Sequence, residues 1–303
     1  MQRTGGYMKT GYIFIGGMPR TGTTLLRNVL NSSDWVGMGG ESHFFGETRL
    51  RIRRPNDFRR RLIALGGLSS DANVNRFAVD IYDAPPSYFW ARIAATVERE
   101  TFRRAMLDSD RSERALLDLA LAAHAAGKPI LGEKTPRNIH HVDTLLSWFP
   151  DAKVIHMFRD PRAIHVSLTR KPSRQGAHES GRRQQSWVHE FHASVRTIIE
   201  WHIVSRLHRR YQRLYPNRYH FCRYEDLVSN PQPVLEDICA FLDIELTDSM
   251  LKPTTVNSSF GDPSPAGFNA QAVDRWRGHL SPMMDRWFVL WCRKRLVEFG
   301  YRV

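Results

Sequence analysis

Residues Gly17–Thr24 read G-M-P-R-T-G-T-T, between the apolar run Tyr12-Ile13-Phe14-Ile15 and the helix-forming run Leu25–Leu30. A strand, a glycine-bearing turn and a helix in that order open a doubly wound parallel sheet, and the turn offers backbone N–H groups at a helix N-terminus to an anion. A nucleoside-triphosphatase loop reads G-x-x-x-x-G-K-[ST]; its lysine reaches the β- and γ-phosphates and its Ser/Thr holds magnesium. Here Thr23 stands in the lysine position and the cation comes three residues earlier, at Arg20. The loop keeps the means to wrap an anion and lacks the residue that handles a triphosphate. A nucleotide with a 5′-phosphate and no γ-phosphate fits it better.

Further along, short apolar runs alternate with helical patterns. Trp35–Met38, Pro129–Gly132, Lys153–Phe158 and Tyr219–Tyr224 read as strands. Helices are expected up to about Asn31, over Ile139–Phe149, from Pro161, over Gln184–Leu214, Pro231–Leu242 and Met283–Phe299. This alternation predicts an α/β fold: a P-loop-like parallel sheet flanked by helices on both faces. Residues 44–127 read as a mainly helical insertion, broken at Pro55, Gly66-Gly67 and Pro85-Pro86. Residues 11–303 are expected to form one domain after a loose tail, 1–10. In such sheets the binding crevice lies beyond the carboxyl ends of the strands. Four motifs fall there: residues 17–24, 39–41, 132–136 and 159–162.

With 303 residues, 42% hydrophobic and 11% aromatic, the chain can bury a sizeable core. The formal net charge of +13 calls for an anionic partner: nucleotide, nucleic acid, anionic lipid or sulfated product. Arginines cluster at Arg49–Arg61, Arg170–Arg183 and Arg206–Arg213, either as solvated helix faces or as anion contacts. The three cysteines, Cys222, Cys239 and Cys292, are far apart and suit thiols in a reducing compartment. No apolar run reaches the length of a membrane span, and Met1–Gly11 lacks the apolar stretch of a secretory signal. A cytoplasmic, bacterial setting is the expectation, with peripheral membrane contact open.

Taken together, Pro19–Arg27, Gly40-Glu41-Ser42-His43-Phe44-Phe45, Gly132-Glu133-Lys134-Thr135-Pro136, Phe158-Arg159-Asp160-Pro161-Arg162 with Ser167, Arg223-Tyr224-Glu225-Asp226-Leu227 and Val256–Phe260 form a set. It resembles the sulfotransferases that use 3′-phosphoadenosine 5′-phosphosulfate (PAPS), and most the bacterial branch that shares its pattern with tyrosylprotein sulfotransferases. The resemblance runs from about Gly11 to Trp276 and implies roles. Arg20, Thr21, Gly22, Thr23 and Thr24 hold the 5′-phosphosulfate; Arg159 and Ser167 hold the 3′-phosphate, which separates PAPS from ATP; Tyr224 is a further nucleotide contact. Glu41 is the expected base for the acceptor hydroxyl, with His43 the alternative because histidine is the commoner base near neutral pH. Lys134, with Arg20, is expected to stabilise the bridging oxygen as charge develops. One departure is Asp274-Arg275-Trp276, where the tyrosylprotein pattern has serine and lysine before a tryptophan. Arg275 can serve as the anion contact, and Ser258 or Ser259 is left to supply the hydroxyl.

Two other classes compete. A P-loop kinase or nucleoside triphosphatase is opposed by the missing lysine and by the lack of a clear strand ending in a magnesium-binding aspartate. A nucleic-acid-binding protein is motivated by the charge but lacks the aromatic–basic interleaving of the common RNA-binding modules. For an enzyme, the acceptor hydroxyl stays open among phenol or tyrosine, glycolipid and natural product. Residues 44–127 and 171–183 would form the acceptor side, with Phe44, Phe45, Tyr82, Tyr88, Phe89 and Trp90 lining a groove or filling the core.

Overall fold

The computed structural model describes residues 3–4, 7–8, 11–49, 52–170, 187–253 and 267–303. Its main sheet has five strands: β1 (Gly11–Gly17), β2 (Val36–Gly39), β3 (Ile130–Lys134), β4 (Ala152–Phe158) and β5 (Tyr219–Arg223). All neighbours are parallel and the spatial order is β2-β3-β1-β4-β5. Two antiparallel ribbons pair Arg3–Thr4 with Tyr7–Met8 and Glu47–Arg49 with Ile52–Arg54.

The helices are α1 (Thr23–Asn31), α2 (Asp57–Ala64), α3 (Asp71–Asp83), α4 (Tyr88–Thr96), α5 (Arg99–Leu107), α6 (Glu113–His124) and α7 (Val142–Trp148). After β4 come α8 (Pro161–Thr169), α9 (Trp187–Leu214), α10 (Tyr224–Ser229), α11 (Pro231–Leu242), α12 (Asp248–Leu251) and α13 (Pro282–Glu298).

The uninterrupted apolar run of β1 follows from burial on both faces. Phe14 joins one core with residues of α3–α7, α9 and α13, while Ile13 and Ile15 join a second with α1 and α11. The strand order locates the crevice. The chain leaves β1 toward β2 on one side, returns to β3, then crosses to β4 on the other side of β1. At such a reversal the opening lies at the carboxyl ends of β1, β3 and β4.

The expected strands and the helices from Thr23, Pro161 and Pro231 are found close to their sequence bounds. Residues 44–127 are mainly helical but open with a ribbon, whose charged strands carry no apolar alternation to betray them. The expected helix over Ile139–Phe149 divides into a 3-10 turn, Pro136–His140, and α7. Several arginines of the sequence clusters are held in internal ion pairs. Arg59 pairs with Glu113, Arg61 with Asp57, Arg209 with Glu298 and Arg210 with Asp143. Of the aromatic residues offered for a groove, Phe44, Phe89 and Trp90 are fully buried core, whereas Tyr88 is exposed. The three cysteines are buried thiols.

Several histidines are enclosed by these cores. Burial pushes His165, His208 and, against a hydrogen bond to the Phe89 carbonyl, His124 down to about 4, and holds His156 well below its ordinary value. Such groups stay neutral in the fold and protonate on unfolding, so their contribution is complete above about pH 6.5 and is lost as pH falls toward 4. The melting temperature should therefore decline steadily between about pH 6.5 and about pH 4.5, and His165→Phe should flatten part of that slope. A flat profile across that window would contradict the buried neutral histidines.

Candidate active site

The loop between β1 and α1 is shaped by backbone conformations that few residues adopt. Gly22, the N-cap of α1, has φ 88°, and a Cβ there would stand 2.5 Å from the Tyr224 ring. Glycine is thus required both for the left-handed turn and for the contact. Arg20 also has positive φ, 72°, an unusual conformation for a non-glycine residue, found mostly where surrounding structure enforces it. Thr21 is buried and donates its hydroxyl hydrogen to the Met18 carbonyl at 2.8 Å, which closes the loop internally. No side chain caps α1, so its first N–H groups, with Thr23 and Thr24 beginning the helix, face the crevice end of the sheet.

Three segments far apart in sequence close around Arg20. Its Nε donates to Ser167 Oγ at 2.8 Å, and its carbonyl accepts from Arg159 Nη1 at 3.0 Å. The Arg159 guanidinium lies over the Tyr224 ring, 4.1 Å from the centroid, and the Trp201 indole N–H donates to the Arg159 carbonyl at 3.0 Å. The Arg159 Nε is buried without a hydrogen-bond partner. Burial first, then the neighbouring Arg159 charge, lowers the Arg20 pKa, and Glu41 partly restores it.

The adjoining Asp160 and Arg162 do different work. Asp160 caps α8 by accepting from the Arg162 N–H at 2.8 Å and pairs with the Arg162 guanidinium. Arg162 also reaches Asp285 and the Arg302 carbonyl, while Glu225 accepts from the Asp160 N–H and the Tyr301 hydroxyl. This buried knot fixes the turn that carries Arg159.

On the other side of β1, Glu41 bridges two basic side chains. One carboxylate oxygen pairs with Lys134 Nζ and the other lies 3.1 Å from His43 Nε2. Burial alone would raise the Glu41 pKa; the His43 hydrogen bond and the Lys134 charge outweigh it and hold it at about 2. The same contact raises His43, and burial lowers Lys134 against the pull of Glu41. Arg27 shares this space: Glu41 counteracts the burial that lowers its pKa, and its guanidinium is anchored on Asn28 Oδ1 at 2.9 Å.

Beneath them sits Glu133, fully enclosed, with its pKa raised by burial. It accepts from the Ser42 N–H at 3.2 Å, the Thr135 hydroxyl at 2.7 Å and Asn138 Nδ2 at 2.6 Å. Thr135 in turn accepts from the His43 N–H at 3.3 Å, and Asn56 Nδ2 donates to the His43 carbonyl at 2.8 Å. His43 itself has φ 47°. The turn that presents Glu41 and His43 is thereby fastened to the end of β3, which presents Lys134.

Comparison with known proteins decides the family. The model for the sulfotransferase family matches residues 12–248. The chain belongs to the sulfotransferase family. A protein-tyrosine sulfotransferase of Drosophila melanogaster is 26% identical over 282 residues, covering 88% of this chain and 47% of that protein. A putative protein-tyrosine sulfotransferase of Caenorhabditis briggsae is 24% identical over 263 residues, covering 86% and 75%. The chain thus spans about half the length of the fly relative. Among solved structures, the sulfotransferase domain of the Synechococcus PCC 7002 olefin synthase matches with a TM-score of 0.58 at 20% identity, over 100% of this chain and 98% of that one. The sulfotransferase domain from the curacin biosynthetic pathway gives 0.57 at 19%, over 98% and 100%. These two share the fold.

Within this sulfotransferase-family chain, the structure gathers Arg20, Ser167, Arg159 and Tyr224 in one cluster and Glu41, His43 and Lys134 in a second, linked through the Arg20–Glu41 electrostatic interaction. Arg275 lies in a 3-10 turn, Arg275–His279, packed on α8, the helix of Ser167. Asp274 pairs with Arg277 at 2.8 Å. Ser258, Ser259 and the loop 171–183 lie outside the described residues. Arg27 and Glu133 have no role that sequence reasoning assigns. Arg27 sits one helical turn from Thr23 and Thr24, a spacing that places it on the loop-facing end of α1. Glu133 gives no such signal, because its partner Ser42 is 91 residues away in the chain. Glu133→Ala would strand the Ser42 amide and Asn138 together. It should cost about 3 kcal/mol or more in denaturant unfolding, with Glu133→Gln costing less.

Proposed function

We propose that the protein transfers a sulfuryl group from PAPS to an acceptor hydroxyl. The observation that carries this reading is the cradle around Arg20: an uncapped helix N-terminus, Arg159 with a buried unpartnered Nε, and the Ser167 hydroxyl, all beside the Glu41–Lys134 pair. The donor set suits a nucleotide with phosphate at both ends of the ribose. The loop amides, Thr23 and Thr24 would hold the 5′ side; Arg159 and Ser167 would hold the 3′-phosphate; the Tyr224 ring closes the cradle over Gly22; Arg275 is a further anion contact. Bound PAPS supplies an electrophilic sulfur and an adenosine 3′,5′-bisphosphate leaving group.

The chain's own residues then position groups and balance charge, as expected for a loose in-line transfer. Glu41 accepts the proton of the acceptor hydroxyl, and the product is a sulfate ester. His43 orients Glu41 through its 3.1 Å contact and could take over the proton. Lys134 and Arg20 hold negative charge at the leaving oxygen. In this reading Lys134 leaves Glu41 as it turns to the leaving group, and the carboxylate becomes a stronger base when it is needed. The tyrosylprotein relatives make a tyrosine-like phenol one acceptor class among those expected.

Calorimetric titration without magnesium, using adenosine 3′,5′-bisphosphate against 5′-AMP and ATP, tests the cofactor class. The bisphosphate should bind at micromolar or tighter affinity and the others far more weakly; preference for ATP would sink the reading. Arg159→Ala should erode that preference. Glu41→Ala and Lys134→Ala should each reduce turnover of a responsive phenol about 10²–10⁴-fold and leave bisphosphate binding nearly intact. Full activity in Glu41→Ala with a dead His43→Ala would move the base to His43.

A further inference from the structure

Helix α13 buries Met284, Phe288, Cys292 and Leu296, one residue per turn, yet it also leaves apolar residues outside, Met283 and Leu290 opposite that face and Trp291 on its flank. Met283 is 62% exposed, Leu290 71% and Trp291 55%. A helix with one packed face places polar residues on the other; two apolar faces imply a second partner. This apolar surface continues onto α9 through four rings. Trp187, Phe191, Trp287 and Trp291 are spaced 5.6, 5.2 and 5.6 Å between successive centroids, and Trp187 is itself exposed.

The exposed charges of α13 that make no ion pair among the described residues are of one sign. Arg286, Arg293 and Lys294 are exposed and fall three or four residues from Met283 and Leu290, so they interleave with them. Among the described residues none of the three pairs with an acid. Three acids of the same helices are drawn elsewhere, Asp285 to Arg162, Glu298 to Arg209 and Glu200 to Arg137, while Glu190 lies 3.8 Å from the neutral His165. A two-fold contact between copies would set these cations against themselves. Exposed tryptophans with leucine, methionine and unpaired arginine and lysine match the headgroup boundary of an anionic bilayer, where amphipathic rings and basic side chains both find partners.

The surface also has a defined place. Trp201 contacts the Arg159 carbonyl at the end of β4, and α9 finishes near the start of β5, so Trp187–Glu200 projects about 20 Å past the carboxyl edge of the sheet. α13 runs alongside in the same direction, with Trp287 beside Phe191 and Arg295 donating to the His202 carbonyl at 2.8 Å. The ring chain therefore lies beyond the carboxyl edge of the sheet, on the side where the crevice opens. No described helix is long and apolar enough to cross a membrane.

We propose that the exposed α9–α13 face docks on an anionic lipid surface. The test is co-sedimentation of the full chain with phosphatidylcholine vesicles containing phosphatidylglycerol, and with phosphatidylcholine alone. Binding to the anionic vesicles only, weakened by salt, is expected. Leu290→Glu should weaken it at least about tenfold. Arg293→Glu and Lys294→Glu should each weaken it about fivefold or more. All three sites are exposed, and unchanged melting temperatures would confirm that the variants fold. Absence of binding to anionic vesicles, or equal binding by the variants, would overturn the proposal. So would a concentration-dependent dimer in analytical ultracentrifugation that Leu290→Glu dissociates, which would assign the face to a second copy.

Discussion

The missing Cβ of Gly22 is the constraint on which the site rests. Only a bare Cα lets the Tyr224 ring approach the first turn of α1, and only that ring gives the Arg159 guanidinium a flat surface to lie on. With Arg159 so placed, its Nη1 meets the Arg20 carbonyl and Arg20 turns its own Nε to Ser167. Segments near residues 20, 160 and 224 thus become one cradle through contacts that each depend on the previous one. The left-handed backbone of Arg20 belongs to the same chain of dependence. A conformation that costs about 1–3 kcal/mol in isolation persists because its carbonyl and its side chain are both held.

A parallel sheet with a reversal in strand order brings the second cluster beside the first. β1 delivers the loop, β3 on one side delivers Lys134, and β4 on the other delivers Arg159. Glu133 and Lys134 are consecutive, and strand alternation sends them to opposite faces. One therefore turns inward to anchor the Ser42–His43 turn while the other meets Glu41. A buried carboxyl group that accepts three hydrogen bonds makes the turn stiff.

How much of this is legible in the sequence depends on the range of each interaction. The strands, the loop and α1 rest on local apolar patterning and turn chemistry, and the order of the motifs along the chain places them at one edge of one sheet. Arg20, Glu41, Lys134, Arg159 and Ser167 stand out because their motifs are local. The work of Glu133 and the approach of Arg27 to Glu41 are not visible there, since each depends on contacts across the tertiary fold. Asp160 and Arg162 read as parts of an anion motif and prove to be mutual partners, locked by Glu225, Asp285 and the Arg302 carbonyl. The ribbon at Glu47–Arg54 escapes for a different reason: charged strands of three residues carry no periodicity.

The electrostatics of Glu41 bear on how it can act at all. A carboxylate held at about 2 is a weak proton acceptor, which taken alone would favour His43 as the base. Yet the two are not rivals in isolation, because each shifts the other's proton affinity and Lys134 shifts that of Glu41. His43 is raised by its hydrogen bond to Glu41, so a proton accepted by the carboxylate would weaken the contact that raises it. Glu41 is thus coupled to both His43 and Lys134. In the proposed reaction, drawing the Lys134 ammonium toward an anion removes one of the two groups that depress Glu41, and the desolvation that already acts on it then raises its proton affinity. Proton acceptance and charge stabilisation are in this way coupled through one lysine, and the choice between Glu41 and His43 becomes a question of where the proton rests after Lys134 has moved.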